Sequence, residues 1–270
     1  MATDPRARVA APRSVLPRPT AAGRPWIWTY HSVGDPSDDP YGITVSPERL
    51  EAQLTWLRSR RLTGVGVGTL LREHARGRRG LVGLTFDDGY ADFVDEALPL
   101  LRRHGFTATV FVLPGRDGGT NEWDPEGPRK PLLTHTQIGG LARTGMEIGS
   151  HGLYHRDLTA LPDQELHAET RRSRDLVREL TGTAPEGFCH PYGYADQRVV
   201  DSVREAGYAY GCALQPGVLV GEFALPRTHV GQADQGLRLR AKELRHHMRH
   251  RAGRAPSGPV PSGPLAEARR

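Results

Sequence analysis

The chain has 270 residues and a formal charge of +5, with 37% hydrophobic and 25% charged residues. At about 150 residues per domain this is one domain with tails, and no run reaches the roughly 18 apolar residues that a membrane span needs. Cys189 and Cys212 are the only cysteines, which excludes a disulfide framework; the basic balance, carried by arginine except at Lys130 and Lys242, suits an acidic glycan, a membrane surface or nucleic acid, or simply a solvated face.

Residues 1–25 are rich in Pro, Ala and Arg and are expected to form a disordered leader, since they hold too little apolar surface to offset their ordering entropy. They lack an uninterrupted apolar h-region, so no signal peptide is recognisable and a cytoplasmic location is expected. A first strand is predicted over Trp26–His31, then a turn-rich loop over Asp35–Tyr41. Ser46-Pro47 opens a helix, with serine as N-cap and proline at the first helical position. Leu50, Leu54 and Leu57 form its apolar stripe. Leu62–Val67 reads as a strand and Leu70–Ala75 as a short helix. Leu81–Phe86 has strand length and β-favouring residues, and runs into Asp87-Asp88-Gly89.

Ala91–His104 is predicted as a helix with Val94, Leu98 and Leu101 inward and Gly105 as its stop. Phe106–Leu113 is a strand, and Pro114–Pro131 a Gly/Pro-rich loop of a length that is usually functional or mobile. A helix over His135–Arg143 leads to a strand at Met146–Gly149. Pro162–Leu180 is a long helix ending at Gly182. Glu186–His190 is a strand, and Asp196–Ala206 a helix with Val199, Val200 and Val203 inward. Tyr208–Leu214 and Phe223–Val230 are short strands. Residues 233–250 form a basic helix and residues 251–270 a Pro/Gly/Ser-rich disordered tail. Strands alternating with helices over residues 26–232 indicate an α/β domain with a largely parallel sheet.

Two stretches carry chemistry. Asp87-Asp88 are adjacent carboxylates at a strand end, an arrangement that burial penalises unless a cation or a proton is present. Asp-Asp-Gly is also ordinary turn chemistry. His151 and His155 follow a second apolar run. Placed on a helical turn, i and i+4 share a face and aim at one point. Two histidines and one carboxylate leave a coordination position open for water, the layout of a catalytic zinc.

With Thr85-Phe86-Asp87-Asp88-Gly89, Ser150-His151-x-x-x-His155 and Phe188-Cys189-His190-Pro191-Tyr192-Gly193 in this order, the chain resembles the polysaccharide deacetylases of carbohydrate esterase family 4, with their NodB-homology domain. The resemblance runs from about Trp26 to Val230. It implies a distorted (β/α) barrel of about seven strands with the site on loops at the strand C-termini. It implies Asp88, His151 and His155 as ligands of a divalent metal, Zn2+ by expectation with Co2+ or Ni2+ as alternatives. Asp87 then matches the general base, and the backbone N–H of Tyr192, after Pro191, matches the donor to the oxyanion. The substrate is expected to be an N-acetylated carbohydrate, and the reaction N-deacetylation of an amino sugar.

The chain departs from the family in three places. No Leu-x-Leu-His motif stands near the C-terminus; Ile27-Trp28-Thr29-Tyr30-His31 has that character near the N-terminus, as in circularly permuted members. His31 thus resembles their general acid, with His229 as the alternative. Cys189 replaces the arginine that holds the base; Arg227 is either its substitute or a surface residue beside a strand. The family's Asp-x-x-x-Trp element is missing. The cysteines read either as a redox pair or extra ligands, or as small core residues. An O-acetyl ester hydrolase and a non-catalytic carbohydrate-binding relative are the alternative functions. The basic helix offers an anchor for nucleic acid or an anionic membrane, but it lacks stacking aromatics, so no nucleic acid is expected. Oligomeric state is not legible.

Overall fold

A computed structural model of the chain describes residues 24–214 and 221–251; the leader over residues 1–23 and the tail over residues 252–270 lie outside them. Ten strands are described: β1 (Ile27–Tyr30), β2 (Ser32–Val33), β3 (Thr44–Val45), β4 (Thr63–Val65), β5 (Leu81–Phe86), β6 (Thr109–Val112), β7 (Glu147–Ser150), β8 (Gly187–Cys189), β9 (Tyr210–Leu214) and β10 (Leu225–His229). β1 pairs with both β10 and β5, and every pairing is parallel, so β1 and β5 to β10 close a seven-stranded ring. This is the distorted barrel expected from the motifs. The pairing is uneven round the ring: β5 pairs with β4 along Leu81–Gly83 and with β6 only at Thr85 and Phe86, and β7 meets β8 only at Ser150 and Phe188.

The helices form where their signals stand. Ser46 accepts from the Arg49 N–H and caps α1 (Pro47–Ser59), whose Leu50, Leu54 and Leu57 are buried. α2 (Val67–Ala75) closes the bottom of the barrel against Ile27, Phe111 and Tyr210. Instead of one helix over Ala91–His104 there is a wide turn, Phe93–Ala97, and then α3 (Leu98–His104). Pro99 has no N–H to give to residue 95, so the helix opens to i→i+5 spacing, with Leu98 N–H on Phe93 O. α4 (His135–Arg143) has a capping box between Thr134 and Gln137.

The long helix after β7 is likewise divided, into α5 (Asp163–His167), a wide turn Ala168–Arg172, and α6 (Ser173–Thr181). There the Thr170 and Ser173 hydroxyls donate back to the Leu166 and Glu169 carbonyls, competing with the backbone ladder. α7 (Gln197–Ala206) is capped by Asp196. α8 (Gly236–Arg251) packs on the main core through Leu239, with His246 stacked on Trp26 and Glu243 paired to Arg60.

The barrel wall has two faces. Trp28 and Tyr30 of β1 point outward into the large core shared with α1, α3 and α4. Ile27 points inward, among Phe111, Cys189 and Cys212. Above that inner layer the interior becomes polar, and the site begins there. No helix among the described residues is long and apolar enough to cross a membrane.

Candidate active site

Each site residue sits where the chain leaves the C-terminal end of a barrel strand. After β5, Asp88 (φ 68°) and Gly89 (φ 67°) are both left-handed. A Cβ on Gly89 would stand 3.3 Å from the Val112 Cα, so the tight turn there requires glycine. After β7, Gly152 (φ 81°) and His155 (φ 61°) are left-handed too. His151 and His155 therefore do not share a helical turn, as their spacing had suggested; they lie on a loop. The buried Glu169 carboxylate holds that loop by accepting from the Leu153 and Tyr154 N–H groups. After β8, Tyr192 has φ 58°. Asp88, His155 and Tyr192, with Arg61, are the non-glycine residues at positive φ among those described. Such strain persists only where the surroundings impose it, and it gathers at functional sites.

The loops converge. Asp88 Oδ1 lies 3.1 Å from His151 Nε2 and 3.3 Å from His155 Nε2, with all three residues buried. Despite these short distances, Asp88 Oδ1 receives no aligned hydrogen bond. That is the arrangement of lone pairs aimed at a common centre. Three ligand atoms on metal bonds of about 2.0–2.1 Å at tetrahedral angles stand about 3.3 Å apart, so the cluster has the dimensions of a metal site. His151 Nδ1 donates to the Cys189 carbonyl at 2.7 Å, which orients the ring and leaves Nε2 free to ligate. Burial opposes ionisation of Asp88, yet the facing imidazoles outweigh it and hold the carboxyl well below its ordinary range.

Asp87 has a different environment. Arg227, on β10, clamps it with two hydrogen bonds of 2.7 Å, Nη1 to Oδ1 and Nη2 to Oδ2. Arg227 is buried and further held by Thr85 Oγ1 at 3.0 Å and the Ala213 carbonyl at 3.3 Å. It is not a surface residue, and it occupies the place left by Cys189. Its Nη2 lies 3.1 Å from the Cys189 sulfur. Burial raises the Asp87 pKa, but the guanidinium more than offsets this and keeps the carboxyl below its ordinary value.

Asp87, His151 and Cys189 form a second group with metal-ligand spacing. Burial pushes the Cys189 thiol up to about 11, so it stays protonated, and Asp87 is taken by Arg227. The Asp88 cluster is the better metal site. Cys212 lies opposite Cys189 in the β8–β9 register, and burial pushes it up to about 12. Both are free thiols in the barrel interior, which agrees with small core residues rather than a redox pair.

His31 Nε2 stands 3.8 Å from Asp87 Oδ2, with the side chain 16% exposed. His229 is further out: its ring centre is 6.3 Å from that of His31 and the residue is exposed. Pro191 is buried and opens the 3-10 turn that carries Tyr192. The Tyr192 ring packs edge-on against His155 at 4.4 Å.

Two contributors were not anticipated. Trp123, in the long loop after β6, stacks on His155 at 4.4 Å and roofs it. Glu169 supports the histidine loop. The signal for Glu169 was present, because it lies on the helix stripe of Leu166, Thr170, Ser173 and Val177, where an acid is out of place. A lone Trp in a Gly/Pro-rich loop offered nothing comparable.

Comparison with known proteins places this geometry. The Polysaccharide deacetylase family model matches residues 74–211, half of the chain. YxkH of Bacillus subtilis, itself assigned provisionally as a polysaccharide deacetylase, is 27% identical over 216 residues, 78% of this chain and 72% of that protein. Chitin deacetylase of Colletotrichum lindemuthianum is 30% identical over 129 residues, and the match covers only about half of either protein, 48% of each. Among solved structures, the deacetylase PplD of Streptococcus pyogenes superposes with a TM-score of 0.69 at 20% identity, covering 80% of this chain and 96% of that one, which confirms the barrel fold. On the family match, carried by the segment that includes β5 to β8 and their loops, the chain belongs to the polysaccharide deacetylase family.

Proposed function

We propose that the protein is a metal-dependent hydrolase that removes N-acetyl groups from an amino sugar in a glycan or glycoconjugate. The observation that carries this reading is the convergence of His151 Nε2 and His155 Nε2 on Asp88 Oδ1, at 3.1 and 3.3 Å, beside a carboxylate that Arg227 keeps ionised. Two histidines and a carboxylate suit Zn2+ and leave a position open. When bound, a divalent cation supplies Lewis acidity, polarising the acetyl carbonyl and making a water acidic near neutral pH.

The protein's own groups do the rest. Asp87 takes a proton from the attacking water, a role that requires its ionised form. Arg227 secures that form and fixes the direction of the carboxylate. The Tyr192 backbone N–H, presented by the strained Pro191–Gly193 turn, serves the oxygen on which negative charge develops. As the C–N bond breaks, the amine nitrogen gains its proton from His31, whose Nε2 stands 3.8 Å from Asp87 Oδ2. Trp123 shields His155 from water. Support for the amide and the sugar comes from names alone: relatives include a chitin deacetylase, a peptidoglycan-N-acetylglucosamine deacetylase of Listeria monocytogenes and a poly-β-1,6-N-acetyl-D-glucosamine N-deacetylase of Staphylococcus aureus. All three names contain or denote N-acetylglucosamine polymers. Acetate release from N-acetylglucosamine oligomers and from O-acetylated sugars, measured on zinc-loaded protein, tests the reading. Release from the O-acetyl substrates only would replace it with an ester hydrolase.

A further inference from the structure

α8 has two unlike faces. Its inner face binds the domain: Leu239 is buried, Lys242 pairs with Asp234 at 2.7 Å, and Glu243 pairs with Arg60 at 3.3 Å. The opposite face carries Leu237, Ala241, Leu244 and Met248. At about 100° per residue these four fall within roughly 60° of one another, and half a turn away from Leu239. Leu237 is 85% exposed, Leu244 57% and Met248 52%. Among the described residues the other large apolar side chains left exposed are Tyr154 and Tyr194, on the loops of the active site. The apolar stripe is flanked by arginine on both sides, by Arg240 on one and by Arg238 and Arg245 on the other, all exposed and without an ion pair among the described residues. Over Gly236–Arg251 the sequence has six basic residues against Glu243 alone, a net charge equal to the +5 of the whole chain.

An apolar stripe between two rows of arginine is built to lie in an interface, apolar side down and guanidinium groups at headgroup level. The 4-3-4 spacing of the stripe would also suit a seam with a second copy of the helix. Two such helices, however, bring their uncompensated arginines together, and Glu243 is already engaged inward. Nucleic acid would match the charge and leave the leucines unused. We infer that α8 is an interfacial anchor that docks the protein on an anionic lipid surface.

The test is sedimentation of the full-length chain with vesicles of phosphatidylcholine alone and of phosphatidylcholine with phosphatidylglycerol. The measurement is repeated with the Leu237→Ser/Leu244→Ser/Met248→Ser and Arg240→Glu/Arg245→Glu variants, and with solution mass and duplex DNA binding as controls. These positions are exposed and carry none of the catalytic groups, so activity on soluble substrate should stay at the parent level. Each basic residue near an anionic surface contributes about fivefold to partitioning at low salt. The expected result is binding to the anionic vesicles only, lowered about 25-fold or more by the glutamate pair and at least as strongly by the serine variant. Failure to bind anionic vesicles overturns the inference, as does binding that the serine variant leaves unchanged. A dimer abolished by the serine substitutions would assign the stripe to a second copy, and DNA binding without vesicle binding would assign the charge to nucleic acid.

Discussion

Replacing Arg227 by methionine isolates the interaction on which the catalytic base depends. Arg227 donates both bonds to Asp87, and the pair is almost fully removed from solvent, at 1% and 3% side-chain exposure. Methionine fills much of the volume but leaves the Asp87 carboxylate buried and uncompensated. Breaking a buried pair in this way costs about 3–5 kcal/mol, or roughly 6–20 °C in melting temperature for a domain of this size. The sign with pH follows from the two folded states. In the parent, Asp87 lies below its unfolded value, so its contribution is present at neutral pH and lost as pH falls through the folded pKa. In the variant the guanidinium no longer opposes desolvation and the folded pKa rises, although His31 and His151 still lower it. The unfolded carboxyl is common to both chains and cancels, so the deficit of the variant is largest at neutral pH and shrinks as pH falls from the variant's folded pKa towards the lower folded pKa of the parent. Adding Asp87→Asn to Arg227→Met removes the stranded charge and should recover part of the loss. Thermal and denaturant unfolding at pH 4 and pH 7 on the four members of this cycle measure all of it. A loss under 1 kcal/mol at pH 7, or a double variant no more stable than Arg227→Met, would refute the assignment of Arg227 as the partner of the base.

The other roles yield sharper readouts. Asp87→Asn should retain metal and lose about 10²–10⁴-fold in turnover; activity within a few-fold of the parent would remove Asp87 from the mechanism. His31→Ala should retain metal, lose amide hydrolysis strongly and lose hydrolysis of an activated acetyl ester much less, because the ester's leaving group needs less help from an acid. His229→Ala should affect both substrates alike and modestly, and an amide-selective loss there would move the acid role from His31 to His229. Glu169→Ala releases the Leu153 and Tyr154 N–H groups that hold the histidine loop. It should weaken metal affinity about 10–100-fold, as loss of a ligand's supporting partner does, and unchanged affinity by competitive chelation would show that the loop holds its shape unaided.

Much of this was legible in the sequence because the signals were local. The N-cap of α1, the glycine stops at Gly105 and Gly182 and the strand ending in Asp87-Asp88 all stand in the structure where their residue types place them. What was not legible depended on distance in sequence. Arg227 reaches Asp87 from 140 positions away, on β10, which ring closure through β1 brings within one strand of β5. The path from His151 to His155 was misread as helical because i and i+4 spacing holds in any compact loop, and the backbone bonds that decided the matter come from Glu169. The break at Phe93–Ala97 had a visible cause in Pro99, which stands inside the span predicted as one helix and removes an i→i−4 bond there. Trp123 reached His155 only because the long loop folds back over the cleft.

The central claim is that Asp88, His151 and His155 hold a catalytic divalent metal. It is tested most directly by counting metal in the purified protein beside His151→Ala and His155→Ala, each confirmed folded by its unfolding transition. The account predicts about one equivalent in the parent, with zinc retained through dialysis, and loss of that metal and of acetate release together in both variants. A parent that releases acetate after complete metal removal, or folded variants that keep a full equivalent, would contradict it.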